Sequence, residues 1–156
     1  MRGTTIRKLA VVVVLAGLLG GLFATSATAG TYGGRFRERG QLLKVTNASR
    51  VYRDLRRVDL QQELSDLARK HSKRMAEAGY IFHTKSPVSY YLRGRSWSWW
   101  GENVGVTSGS VRDVHKAFMR SDGHRRNILN RAFRKVAIGT YRSDGLLYVT
   151  EFFYRP

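Results

Sequence analysis

The amino-acid sequence predicts an α+β domain, with helices packed on an antiparallel sheet. Three observations carry that expectation. Leu60, Leu64, Leu67, Ala68, His71 and Met75 form one stripe at helical spacing, and Gly79 follows as a left-handed stop. Ser110 and Asp113 open another helical stretch as an S-x-x-D capping pair. Residues 136–141 and 146–154 are β-branched and aromatic runs joined by Arg142-Ser143-Asp144-Gly145, a hairpin with a glycine-containing loop of about four residues.

The remaining elements follow in chain order. Residues 1–29 read as a secretory signal peptide: Arg2, Arg7 and Lys8 are the basic end, residues 9–24 are apolar apart from glycines, and Ala27-Thr28-Ala29 is a small-x-small cleavage signal. The apolar run is short for a membrane span. Cleavage near Ala29 leaves 127 of the 156 residues, enough for one domain with its own core. The expected product is secreted and carries no transmembrane segment. Residues 30–40 are glycine-rich and basic and read as a flexible leader; residues 41–156 form the domain. Leu42, Leu43, Val45, Ala48, Val51, Tyr52 and Leu55 predict a first helix. Asp59 is placed to cap the second, with Gln62 three residues on, and His71 on its stripe reads as a packed structural histidine. Residues 80–100 look irregular and are dense in aromatic rings, with Arg93 and Arg95 between them, so a long loop pinned by its rings is expected. Val111, Val114, Ala117 and Phe118 should face inward, with His115 on the surface. Ser121 or Asp122 then restarts a short helix with His124 in its first turn.

Composition narrows the function. There is no cysteine, which excludes a disulfide framework, a thiolate metal site and a cysteine nucleophile. The formal charge is +17, and removing Arg2, Arg7 and Lys8 with the leader leaves +14. Such a field attracts polyanions such as anionic cell-wall polymers or lipid head groups. No nucleic-acid-binding motif is present, so no specific nucleic-acid site is expected.

Three short stretches carry candidate chemistry: Phe82-His83, Gly101-Glu102-Asn103, and Gly123-His124-Arg125-Arg126-Asn127-Ile128-Leu129-Asn130. If the fold gathers them, two imidazoles and one carboxylate share a polar site. Zn2+ bound by two histidines and a glutamate keeps an open fourth position and can polarise a carbonyl or activate water. The alternative is a hydrogen-bonded polar cluster, in which Glu102 orients one histidine and Asn103 and Asn127 tie loops to the sheet. The His-Glu-x-x-His metalloprotease pattern is absent, and Ser121 lies near His124 without a Gly-x-Ser-x-Gly elbow.

Taken together, these segments resemble the CAP superfamily (SCP-like; cysteine-rich secretory protein, antigen 5 and pathogenesis-related 1 domains), in its bacterial cysteine-free form. Ala68-Arg69-Lys70-His71-Ser72 resembles the family's long second helix, Phe82-His83 its first cleft histidine, and Trp100-Gly101-Glu102-Asn103-Val104 its Gly-Glu-Asn motif. Ala117 to Ser121 followed by Gly123-His124-Arg125-Arg126-Asn127-Ile128-Leu129 resembles the bacterial second-histidine motif. Val136-Ala137-Ile138-Gly139 and Tyr148-Val149-Thr150-Glu151-Phe152-Phe153 resemble the closing strands. The resemblance implies a three-layer α-β-α sandwich around a small antiparallel sheet. It also implies a cleft where His83, Glu102 and His124 meet and could hold a divalent cation such as Zn2+. The wider family's second acid is missing, and Asp122 is either its replacement as a fourth ligand or a helix cap. On this resemblance the expected function is a secreted binding or interaction module at or outside the bacterial envelope. The alternatives are a metal-dependent, peptidase-like hydrolase, with His83, Glu102 and His124 as candidate catalytic residues, and a lipid or sterol binder. The fold alone carries over no catalytic activity.

Overall fold

In a computed structural model, which describes Val12–Val13 and residues 31–156, the chain runs β1 (Val12–Val13), α1 (Thr31–Val51), β2 (Asp59–Leu60), α2 (Gln62–Ala78), α3 (Pro87–Tyr91), β3 (Trp99–Thr107), α4 (Val111–Arg120), α5 (Asp122–Ile128), β4 (Lys135–Ser143) and β5 (Leu146–Arg155). The rest of the segment read as a signal peptide, with its cleavage point, lies outside the described residues. The sheet order is β1-β3-β5-β4-β2. The three long strands are antiparallel, as expected, and the two short edge strands run parallel to their neighbours.

Alternation along β5 builds the layers. Leu147, Val149 and Phe153 join Leu42, Val114, Phe118 and Ile128 in one core, under α1, α4 and α5. Phe152 and Tyr154 pack with Leu64, Ala68 and Tyr91, and Tyr148 packs with Met75, Ile81 and Val104, all under α2 and α3. The result is the predicted α-β-α sandwich.

The α2 stripe is buried at Leu64, Ala68, His71 and Met75, and the helix stops at Gly79, whose φ is 75° and whose N–H bonds the Ala76 carbonyl. His71 is the packed, hydrogen-bonded residue expected: Nε2 lies 2.8 Å from the Phe82 carbonyl oxygen. Helix α2 lies so close to β4 that a Cβ on Gly139 would collide with the backbone of Ala68 and Arg69. Backbone cannot rotate away as a side chain does, so Gly139→Ala is expected to lower stability by about 2–3 kcal/mol, the upper range for an overpacked core. Urea unfolding measures it; a loss below about 0.5 kcal/mol would mean that α2 rides over the strand freely.

The start of α4 matches its prediction. The Ser110 backbone N–H and hydroxyl donate to Asp113 Oδ2 at 2.9 and 2.6 Å. Four other expectations are corrected. Residues 31–40 are not a flexible leader but the first half of α1. Arg39, on that stretch, is buried and donates to Gln62 Oε1 and Asp66 Oδ1, which docks the helix against α2. Asp59 does not cap α2; the N-cap is Gln61, and residues 59–61 are drawn into a parallel ladder by bonds from Asp59 N to Arg134 O and from Gln61 N to Val136 O. The Asp59 carboxylate pairs with Lys135 Nζ at 3.0 Å. His115 is not a surface residue: it shares the inward stripe with Val111, Val114 and Phe118, and Ser49 Oγ lies 2.8 Å from its Nε2. Burial pushes its pKa down to about 4. Finally, residues 80–100 are less irregular than they look. They include α3 and the start of β3, and the Tyr91 ring stacks on Phe152 at 4.1 Å.

Candidate functional site

Gly101-Glu102-Asn103 lies inside β3, not on a loop. Successive side chains on a strand point to opposite faces. Glu102 therefore points toward α2 and α3, and Asn103 toward α1, α4 and α5. This geometry decides what the three motifs can build.

On the α2/α3 face, Glu102 Oε2 lies 2.9 Å from His83 Nδ1 and accepts the Thr84 backbone N–H at 2.9 Å. Oε1 accepts the Thr84 hydroxyl at 2.6 Å and the Tyr91 hydroxyl at 3.4 Å. The carboxyl is 1% exposed. Burial alone would raise its pKa, but the bonds from His83 and Thr84 outweigh it and hold the group below the usual carboxylate range. The Tyr91 hydroxyl is pushed well up, by burial first and by the Glu102 charge second. His83 is anchored through Nδ1; its Nε2 is buried and has no hydrogen-bond partner among the described residues. When the ring is neutral, Nδ1–H donates to Glu102 and Nε2 carries the lone pair.

On the opposite face, His124 is buried under α4, with its ring 4.7 Å from Phe118 and its Nδ1 3.0 Å from Ser121 Oγ. Its carbonyl accepts from Asn103 Nδ2 at 3.3 Å. Asn127 Nδ2 donates to Asn103 Oδ1 and to the Glu102 carbonyl, so the two asparagines do tie α5 to the sheet. Glycine at 101 permits this: a Cβ there would stand 2.6 Å from Asn127 Oδ1. The network reaches a residue the sequence reading passed over. Glu151 is wholly buried, accepting from Thr46 Oγ1 at 2.8 Å and from Asn103 Nδ2 at 3.1 Å. Burial lifts its pKa to about 7 against those two bonds. Its signal was in the strand: it alternates in step with Val149 and Phe153, on a face that is otherwise apolar.

The expected three-residue cleft is thus corrected. His83 and Glu102 meet; His124 is on the other side of the sheet. Asp122 is not a fourth ligand, since its exposed carboxylate accepts from Arg125 within its own helix turn. Among the described residues no group of three or more His, Asp or Glu side chains is placed to hold a metal ion. The donor set agrees: Glu102 has both oxygens occupied, and His83 has spent Nδ1 on it. His83, Glu102 and His124 do not fit a divalent cation in this arrangement. What the face does offer is an ionised carboxylate fixing one imidazole, which is the polar-cluster alternative.

Comparison with known proteins agrees with the fold. The family model for CAP, the cysteine-rich secretory protein family, matches residues 43–154. The uncharacterized protein YkwD of Bacillus subtilis (strain 168) is 32% identical over 117 residues, covering 72% of this chain and 45% of its own length. The chain thus spans less than half of that relative. An extracellular protein containing an SCP domain from Bacillus anthracis str. Ames superposes with a TM-score of 0.69 at 24% identity, over 78% of this chain and 41% of its own. An outer surface protein from Borrelia burgdorferi also gives 0.69, at 16% identity, over 76% of this chain and 92% of its own.

Proposed function

Because the chain belongs to the CAP, or cysteine-rich secretory protein, family, we propose that it is an exported binding module held at or outside the cell envelope by anionic polymers. Charge imbalance at the surface carries this reading. Lys and Arg number 28 against 11 Asp and Glu. Burial removes Glu102 and Glu151 from the surface count and Arg39 and Arg50 with them, so the excess remains at the surface. The excess of cations must therefore be balanced by solvent ions or by a polyanionic partner. No described helix is long and apolar enough to cross a membrane.

The other two readings draw less support. A hydrolase built on His83, Glu102 and His124 needs all three on one substrate, and the sheet stands between them. A sterol or fatty acid needs an apolar groove; the two cavities described mix apolar and charged lining, one with Leu60, Gln61, Gln62, Glu63, Leu64 and Arg95, the other with Lys85, Ser86, Ser89, Tyr90 and Arg93.

Electrostatic attachment is sensitive to salt, because the Debye length falls from about 10 Å at 0.1 M to about 3 Å at 1 M. Envelope fragments loaded with the protein at low salt are expected to release most of it by about 0.5 M salt. Retention that does not change across that range would remove the reading.

A further inference from the structure

We propose that the outer face of α4 is the docking line for a single extended phosphodiester polymer, with Arg112, Lys116 and Arg120 each meeting one phosphate. The proposal rests on the envelope reading above and names the partner and its place. Helix α4 buries Val111, Val114, His115 and Phe118 and leaves those three cations exposed at four-residue spacing. No ion pair among the described residues engages any of them. Of the nearby acids, Asp122 pairs with Arg125, while Asp113 bonds Ser110 and feels the Lys116 charge without forming a salt bridge to it.

Helix stability does not explain this arrangement. Like charges at i, i+4 destabilise a helix by a few tenths of a kcal/mol per pair. Arg112, in the first turn, also opposes the helix dipole. On α2 the pattern differs: Lys73 pairs with Glu77 at 3.1 Å, Asp66 takes Arg39 and Glu63 takes Arg95. The α2 acids form salt bridges; none of the three α4 cations has one among the described residues.

Spacing identifies the chemistry. Four helical residues advance about 6 Å, so the cations form a row with that repeat. Phosphates joined through a three-carbon polyol are six bonds apart, which spans about 7 Å when extended, twice the reach of one three-bond backbone unit. Flexible Arg and Lys side chains absorb the difference. A nucleic-acid strand has the same six-bond repeat, but single strands are held by aromatic platforms for their bases, and the exposed face of α4 carries none; a bilayer offers a plane rather than a line.

The test uses the purified protein titrated with poly(glycerol phosphate), phosphatidylglycerol vesicles, and single-stranded and duplex DNA at two salt concentrations. Two triple variants remove the same charge: Arg112→Gln with Lys116→Gln and Arg120→Gln, and Lys70→Gln with Lys85→Gln and Arg93→Gln, whose positions are also exposed. The α4 variant should bind the polymer at least tenfold more weakly. Its log–log salt slope should flatten by about 2, at roughly 0.7 per lost single-strand phosphate contact. The second variant should stay within about threefold of the parent. Equal losses in both would overturn the α4 line while leaving the envelope reading intact. No polymer binding by the parent would overturn both. Tighter binding to vesicles or DNA than to the polymer would overturn the assignment of partner. Near-ultraviolet circular dichroism of both variants verifies that the fold is unchanged.

Discussion

Arg50→Met should cost the domain about 3–5 kcal/mol, because several buried carbonyls lose a charged donor at once. Arg50 is wholly buried near the end of α1, and no ion pair among the described residues engages it. Its guanidinium instead donates to four main-chain carbonyls: Arg56 at 2.8 Å, Ile128 at 2.7 Å, Asn130 at 3.0 Å and Phe133 at 3.3 Å. One side chain therefore closes the turn after α1 and fixes the segment that leads from α5 into β4. Methionine fills much of the stem volume but offers no donor, so up to four buried carbonyls lose a partner, each worth about 1–3 kcal/mol unless water enters. For a domain of this size the melting temperature should fall by roughly 10–20 °C. Arg50→Lys should recover only part of the loss, because an ammonium is a point donor and cannot span the same fork. Thermal and urea unfolding of both variants measure this. A loss below about 1 kcal/mol for Arg50→Met would show that the carbonyls find water easily and that Arg50 is not a clamp.

Arg50 also marks what the sequence left unreadable. It sits beside Thr46 and Asn47, outside the apolar pattern of Leu42, Leu43, Val45, Ala48 and Val51 that predicts the helix, so periodicity assigns it to the solvated side. Local signals did better. Gly79, the Ser110–Asp113 pair and the terminal hairpin were legible because turn and cap chemistry acts over three or four residues. Asp59 failed for the opposite reason: pairing with β4, distant in sequence, captured a residue that local rules assign to a cap. His115 was recoverable, since Val111, Val114 and Phe118 at helical spacing bracket it on the inward stripe. The site was half legible. Motif order pointed to His83 with Glu102, but gathering all three stretches into one site passed over a simple constraint. Once those residues lie in a strand, whatever meets Asn103 cannot meet Glu102. His124 follows Asn103.

The two buried titratable groups that the sequence reading misjudged predict opposite responses to acid. The pKa of His115 is driven down by burial to about 4 from an ordinary 6.5, and that of Glu151 is driven up by burial to about 7 from an ordinary 4.5. For His115 the stabilising contribution is present above pH 6.5 and lost as pH falls through 4. For Glu151 it is present below pH 4.5 and lost as pH rises through 7. Each amounts to about 3 kcal/mol across its window, at 1.36 kcal/mol per pH unit of displacement. Between pH 7 and 4.5 the two therefore largely offset. His71, shifted down mainly by burial, acts in the same direction as His115, and Glu102, held low by His83 and Thr84, adds its loss only below that window. Wild-type stability should change little between pH 7 and 5. In Glu151→Gln the amide oxygen can accept from Asn103 while the amide nitrogen donates to the Thr46 hydroxyl, and the titrating proton is gone, so the variant should be more stable than wild type at pH 7 and fall steadily with acid. His115→Gln should instead gain stability on acidification over the same range. Urea midpoints at half-unit pH steps distinguish the curves. Parallel curves for the three proteins would mean that neither group titrates inside this window in the folded state, and that water reaches both sites.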